Sequence, residues 1–222
     1  MPNHVVNKIS APKEVIDALI NHERPEKVDF NKVIAKPKIF DEFGGDVKHF
    51  FILDDFIKFV KQCDLNSIDK ETLRALLIEF HKVKEFDIDE SDIDNELVLQ
   101  AVCYFQIGYR DPIDWSREFW GTQWNAYDVK IFSDTELHFN TAWTHPFPVI
   151  KALSEKFPNA KITVQYADED LGYNCGQYTI QNGLKLSCFR KATGSNEDVI
   201  FAAKLKGYSD VEIEEFLGGY ER

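Results

Sequence analysis

The chain has 222 residues, 44% apolar and 14% aromatic, which is enough to bury a core and excludes a disordered chain. Its 38 acidic and 26 basic residues leave a net charge of −12, which repels a nucleic-acid backbone; no direct nucleic-acid binding is expected. No apolar run approaches the roughly 20 residues that span a bilayer, so no membrane partner is expected either.

Residues 4–10, HVVNKIS, are rich in β-branched side chains and predict a strand. APKEVIDALINHE follows, with Val15, Ile16, Leu19 and Ile20 on one helical face. KVDFNKVI at 27–34 alternates again and predicts a second strand. The period then changes. Residues 47–62 predict a helix with Phe50, Phe51, Phe56, Phe59 and Val60 on its apolar side. Residues 69–83 predict another, carrying Leu73, Leu76, Leu77 and Phe80. A third begins near 91–94 and presents Leu97, Ala101, Tyr104 and Phe105.

Strands return with AYDVKIFSD and ELHFNTAW, which predict a hairpin. Alternation sends Leu137, Phe139, Thr141 and Trp143 to one face, and His138, Asn140 and Ala142 to the other. THPFPVIKALSEKFP predicts a helix with Pro148 in its first turn and Pro158 as its stop. KITVQYA is a strand, and GQYTIQNGLKLSCF is a hairpin turning at Asn182-Gly183. Helices over 196–206 and 209–217 close the chain.

The order predicts an α+β fold: a ferredoxin-like split β-α-β antiparallel sheet with a helical insertion and a C-terminal helical hairpin. The expected boundaries are 1–35 with 121–190 for the α+β domain, 36–120 for the insertion and 191–222 for the C-terminal helices.

Motifs that carry chemistry are sparse. Cys63, Cys103, Cys175 and Cys188 form no CxxC pair and fit free thiols in a cytoplasmic protein. No histidine pair has ligand spacing, so neither a metal site nor a cofactor is predicted. The run EFDIDESDIDNE at 85–96 fails as a calcium loop, because Asp92 stands where glycine is needed and Val98 where glutamate is needed. Its Asp87, Asp89, Glu90, Asp92 and Asp94 instead fit a solvated linker that ends in a helix N-cap or, as the alternative, a dense acidic face suited to a basic surface on a protein partner. His138 shares a strand face with Glu136 and Asn140, and His4 is expected on an adjacent strand. YADEDLGYNCGQY sets Asp168, Glu169 and Asn174 in a glycine-rich loop past a strand end, where paired carboxylates can do acid–base work. No catalytic residue is assigned. In REFWGTQWNAYD at 117–128, Trp120 and Trp124 are expected to anchor a corner of the core, with Gly121 turning the chain and Asn125 tying local backbone.

The segments DFNKVIAKP, DWSREFWGTQWNAYD, FNTAWTHPFPVIKALSEKFP and YADEDLGYNCGQY together resemble the YubB-like family of phage and plasmid proteins with a ferredoxin-like domain. The resemblance implies that fold and residence on a mobile element, and transfers no activity. Two functions follow as expectations. One is a non-catalytic interaction protein acting on a host factor through its acidic surface. The other is an enzyme or nucleotide-binding domain using the polar sheet face and the 168–176 loop.

Overall fold

The structure, a computed structural model, describes residues 2–24, 27–44, 47–48, 50–65, 68–84, 95–189 and 193–219. It divides into two compact units: residues 1–35 with 116–222, and residues 36–115.

The first unit is built on a six-stranded antiparallel sheet in the order β2-β3-β1-β4-β5-β6. The strands are β1 (His4–Ser10), β2 (Tyr127–Ser133), β3 (Glu136–Ala142), β4 (Ile162–Ala167), β5 (Cys175–Gln181) and β6 (Leu184–Phe189). The first four, with α1 (Lys13–Leu19) after β1 and α6 (Phe147–Lys156) after β3, make the ferredoxin-like split β-α-β plan. The β5–β6 hairpin extends the sheet beyond β4. Its turn places Asn182 and Gly183 at φ of 46° and 74°, the left-handed pair that a two-residue hairpin requires.

Alternation gives the sheet two unlike faces. Val5 and Ile9 of β1, Leu137 and Phe139 of β3, Ile162 and Val164 of β4, and Ile180 of β5 are buried on one of them. Val15, Ile16 and Leu19 of α1 and Val149, Ile150 and Leu153 of α6 are buried as well and complete that core. The opposite face carries His4, Val6, Lys8, His138, Asn140 and Gln165. Helix α7 (Asn196–Lys206) crosses part of it, where Ala202, Phe201 and Leu205 pack on Ala167 and Cys175. A capping box between Ser195 and Asp198 starts α7, and Gly207 ends it at φ 88°. Helix α8 (Asp210–Gly219) follows and buries Ile213.

Three expectations change here. Residues 27–34 are not a strand: they hold a 3-10 turn at Phe30–Lys32 and one isolated bridge, Ile20 to Val28. Asp29 wins that segment, because its carboxylate accepts from the side chains of Asn21, Asn31 and Asn125 and from the backbone of Asn31. These bonds outweigh the burial that opposes its charge and hold it at about 2. Trp143 does not continue the apolar alternation of β3. It stands past the strand end at φ 68° and is 46% exposed.

The third change concerns the 117–128 corner. Trp120 is buried and its Nε1–H donates to the Ile34 carbonyl at 2.9 Å, so it closes the neck between residues 34 and 120. Gly121, at φ 75°, has the Pro148 ring so close that a Cβ would lie 2.6 Å from Cδ. Asn125 accepts from the backbone of Phe30 as well as of Ala126, so it ties distant chain as well as local chain. Trp124, however, is 44% exposed, and its expected burial is corrected.

The second unit contains α2 (Leu53–Val60), α3 (Lys70–Val83) and α4 (Asn95–Ile107); α5 (Pro112–Phe119) straddles the boundary between the units. Leu53, Phe56, Ile57, Val60, Leu73, Leu77, Phe80, Leu97, Val98, Ala101 and Val102 form its core. Phe51 lies before α2, not on its apolar side, and is 99% exposed. No helix among the described residues is long and apolar enough to cross a membrane.

Candidate functional site

Between β2–β3 and the end of α7, the polar face of the sheet opens into a groove of about 700 Å³. Val6, Asp128, Lys130, Phe132, His138 and Asn140 line it from the sheet. Lys204, Leu205, Lys206 and Gly207 line it from α7. The strand period explains the first wall: Lys8 pairs with His138 and Val6 with Asn140, all on one face. Lys130 is set opposite His138 by a register shift between Tyr127 and Lys130. That bulge places Asp128 at φ 50°.

His138 is held from two sides. Its ring lies 4.3 Å from that of Phe132. Its Nε2 is 3.3 Å from Glu136 Oε1, which also takes Lys8 Nζ at 3.0 Å. That nitrogen is buried, and its contact with Glu136 is an ion pair only when the imidazole is protonated. Burial, and then the Lys8 charge, lower the His138 pKa, so the imidazole is neutral at pH 7. The bond from Lys8 lowers that of Glu136. Phe132 keeps 60% of its surface exposed above His138.

Asn140 Nδ2 donates to Asp128 Oδ2 at 3.0 Å. Lys206 Nζ reaches the Asp168 carbonyl at 3.4 Å, and burial lowers its pKa against the raising effect of Glu169 and Asp168. A neighbouring hollow joins His4, Glu169, Tyr208 and Glu212 to Asp128, Asn140 and Lys206. There His4 Nδ1 and Tyr127 Oη are 2.5 Å apart, and His4 Nε2 is 3.9 Å from Glu169. Burial, then Asp128 and Glu169, push the Tyr127 phenol up to about 12, so it stays protonated beside His4.

The structure brings together His138, Asn140 and Glu169 among the residues singled out from sequence, with His4 beside them. Asp168 does not join them as an acid or base. It is buried, and its carboxylate accepts from Asn174 at 2.6 Å, Asn3 at 3.2 Å and the Glu169 backbone at 2.6 Å. Asn174 also donates to the Trp143 carbonyl, so the loop is tied to the chain start through Asp168 and to the end of β3 through Asn174. Asp87, Asp89, Glu90, Asp92 and Asp94 lie outside the described residues. Sequence reasoning missed Asp128, Phe132, Lys204 and Lys206. Only the alternation of β2 hinted at the first two, and nothing in the spacing ties residues 204–206 to residues 128–140.

A family model described as the ferredoxin-like domain in Api92-like protein matches residues 119–207, less than half of the chain. That stretch runs from before β2 to the end of α7 and holds both walls of the groove, but not β1. No curated protein matches the chain. Among solved structures, the crystal structure of a protein api92 from Yersinia pseudotuberculosis is similar at 11% identity. The alignment covers 88% of this chain and 100% of that one, with a TM-score of 0.41. Residues 119–207 are thus similar to the ferredoxin-like domain of Api92-like proteins.

Proposed function

We propose that the chain is a small-molecule binding module whose polar sheet face takes a nucleotide. The observation that carries this reading is a local reversal of charge. The whole chain has a net charge of −12, yet three lysines, Lys130, Lys204 and Lys206, line the groove against one carboxylate, Asp128. Lysines held in a concave, partly apolar wall attract phosphate, and the overall negative charge disfavours a long polyanion over a single nucleotide. Phe132 offers an exposed ring on which a base can stack. Calorimetric titration with the four common ribonucleoside monophosphates tests the reading. Saturable binding is expected with at least one of them. It weakens with added salt, and in Lys204→Ala/Lys206→Ala and Phe132→Ala variants that keep their melting temperature. No binding by any of the four overturns it.

A second reading draws on the acidic excess. The exposed acids Asp210, Glu212, Glu214 and Glu215 of α8 add to the run at 85–94, and together they favour a host protein with a basic surface. The mobile-element setting implied by the YubB-like resemblance belongs to this reading. Capture from a host lysate, with and without neutralisation of the 85–94 carboxylates, tests it.

A further inference from the structure

Asp128 is not placed by ordinary strand geometry. The β2 bulge puts it at φ 50°, a left-handed conformation uncommon outside glycine, and it lines the groove there. Asn140 takes one carboxylate oxygen, Oδ2. Among the described residues no partner occupies Oδ1. Two positions along the same strand, Lys130 lines the groove, and its ammonium likewise has no bonded partner among the described residues. The groove therefore presents an acceptor held by Asn140 and, two positions along the strand, an exposed donor.

The distances suit one base. His138 and Asn140 are two residues apart on β3, about 7 Å at the usual rise of a strand. The Phe132 ring lies tilted against that of His138 at one end of that interval, and Asp128 bonds Asn140 at the other. A purine lying on Phe132 thus spans from the aromatic pair to the carboxylate.

We propose that the groove takes guanine nucleotides, with Asp128 accepting from the N1–H and N2–H edge, Lys130 donating to O6, and Phe132 stacking on the ring. This rests on the nucleotide reading above and adds the base. A carboxylate only accepts, and an ammonium only donates. Guanine has two donors where Asp128 waits and an acceptor for Lys130. Adenine inverts both positions: its N1 is an acceptor facing the carboxylate, and its amino group stands where O6 would be.

Titration of the full chain with GMP, IMP and AMP separates the possibilities. GMP binds tightest. IMP, which lacks the N2 amino group, loses about tenfold, the scale of one hydrogen bond to a charged group, and AMP loses more. Asp128→Asn weakens GMP by about tenfold or more on the same argument and does not weaken AMP, whose N1 acceptor gained nothing from the carboxylate. Asp128 is on the surface, and its variant is checked for an unchanged melting temperature. Equal affinity for GMP and AMP, or equal losses for both in Asp128→Asn, overturns the guanine assignment while the nucleotide reading stands. If none of the three binds, the nucleotide reading itself falls and the base assignment with it.

Discussion

Asn7 and Lys8 are neighbours in β1 and point to opposite faces of one sheet. On the packed face, Asn7 is fully buried and its amide donates to the Val5 carbonyl and to Thr141 Oγ1, both at 2.9 Å. The second of these bonds joins β1 to β3 inside the core, where a lost donor or acceptor is expensive. On the other face, Lys8 is paired with Glu136, but exposed groups near it retain unused capacity among the described residues: one oxygen of Asp128, and Lys130. The packed face uses the Asn7 amide donors to hold strands together, while Asn7 Oδ1 and Tyr178 Oη stay buried there without a hydrogen-bond partner. The groove face instead leaves charged groups exposed to solvent, which is what recognition of a solute needs.

Paired phenylalanines break or sharpen this contrast most directly. Phe139 is buried on the packed face, and Phe139→Ala is expected to cost about 3–5 kcal/mol. Phe132→Ala, on the groove face, is expected to cost under about 1 kcal/mol while removing most nucleotide binding. Chemical denaturation and calorimetry on both variants read the two quantities. If Phe132→Ala proves the more destabilising, the division between faces is wrong. The tryptophans of the 117–128 corner give the same test away from the sheet. Trp120→Ala loses a buried ring and its bond to Ile34, for about 3–5 kcal/mol. Trp124→Ala is expected to stay near 1 kcal/mol or below.

Acid should separate the faces next. His145 stacks on Tyr166 of the packed face at 4.2 Å, and burial, then the Lys185 charge, push its pKa down to about 3. Its folded value is below the unfolded one, so its neutral form is favoured by folding. The resulting stability is complete above about pH 6.5. It is lost progressively as pH falls toward 3, by an amount on the order of a few kcal/mol. His145→Gln should flatten that part of a stability-against-pH curve. His138 acts in the opposite sense on function. As pH falls below its lowered pKa it gains positive charge beside Lys130, so nucleotide affinity should rise before the fold is lost. An affinity that falls over the same range, in protein that is still folded, contradicts the placement of His138 in the groove.

Smaller effects belong to the elements that flank the groove. Ser195→Ala removes the cap of α7 and should cost about 1 kcal/mol, with a lower melting temperature and a modest loss of binding through Lys204 and Lys206. Neutralising Asp87, Asp89, Glu90, Asp92 and Asp94 should change stability and nucleotide affinity least of all. Under the second reading of function it lowers the association rate with a basic partner at low salt.

Much of the frame was legible in order of residues. Period-two alternation in HVVNKIS, ELHFNTA and KITVQYA, helical spacing around Val149 to Leu153, and the Asn182-Gly183 turn all depend on near neighbours, and each appears where expected. The 27–34 stretch misled because its alternation is real but Asp29 gathers three asparagines, two of them from outside that alternation at positions 21 and 125. Trp124 and Trp143 misled for a related reason. Aromatic character predicts burial, yet each follows a tight backbone change, at Gly121 and at the end of β3, that turns the side chain toward solvent.

The candidate site divides the same way. Local order sufficed to place His138 and Asn140 on one strand face with Glu136, because alternation is a property of the backbone alone. Local order also determined the fold class, since the β-α-β-β-α-β sequence leaves few ways to close an antiparallel sheet. Only the tertiary structure decided which groups meet there. The β2 bulge that turns Asp128 into the groove, and the crossing of α7 that carries Lys204 and Lys206 to β3, join residues more than 60 positions apart. The same is true of the bond that Asn3 makes to Asp168 across most of the chain. Such meetings are fixed by packing and hydrogen bonding between distant segments, which no local period encodes.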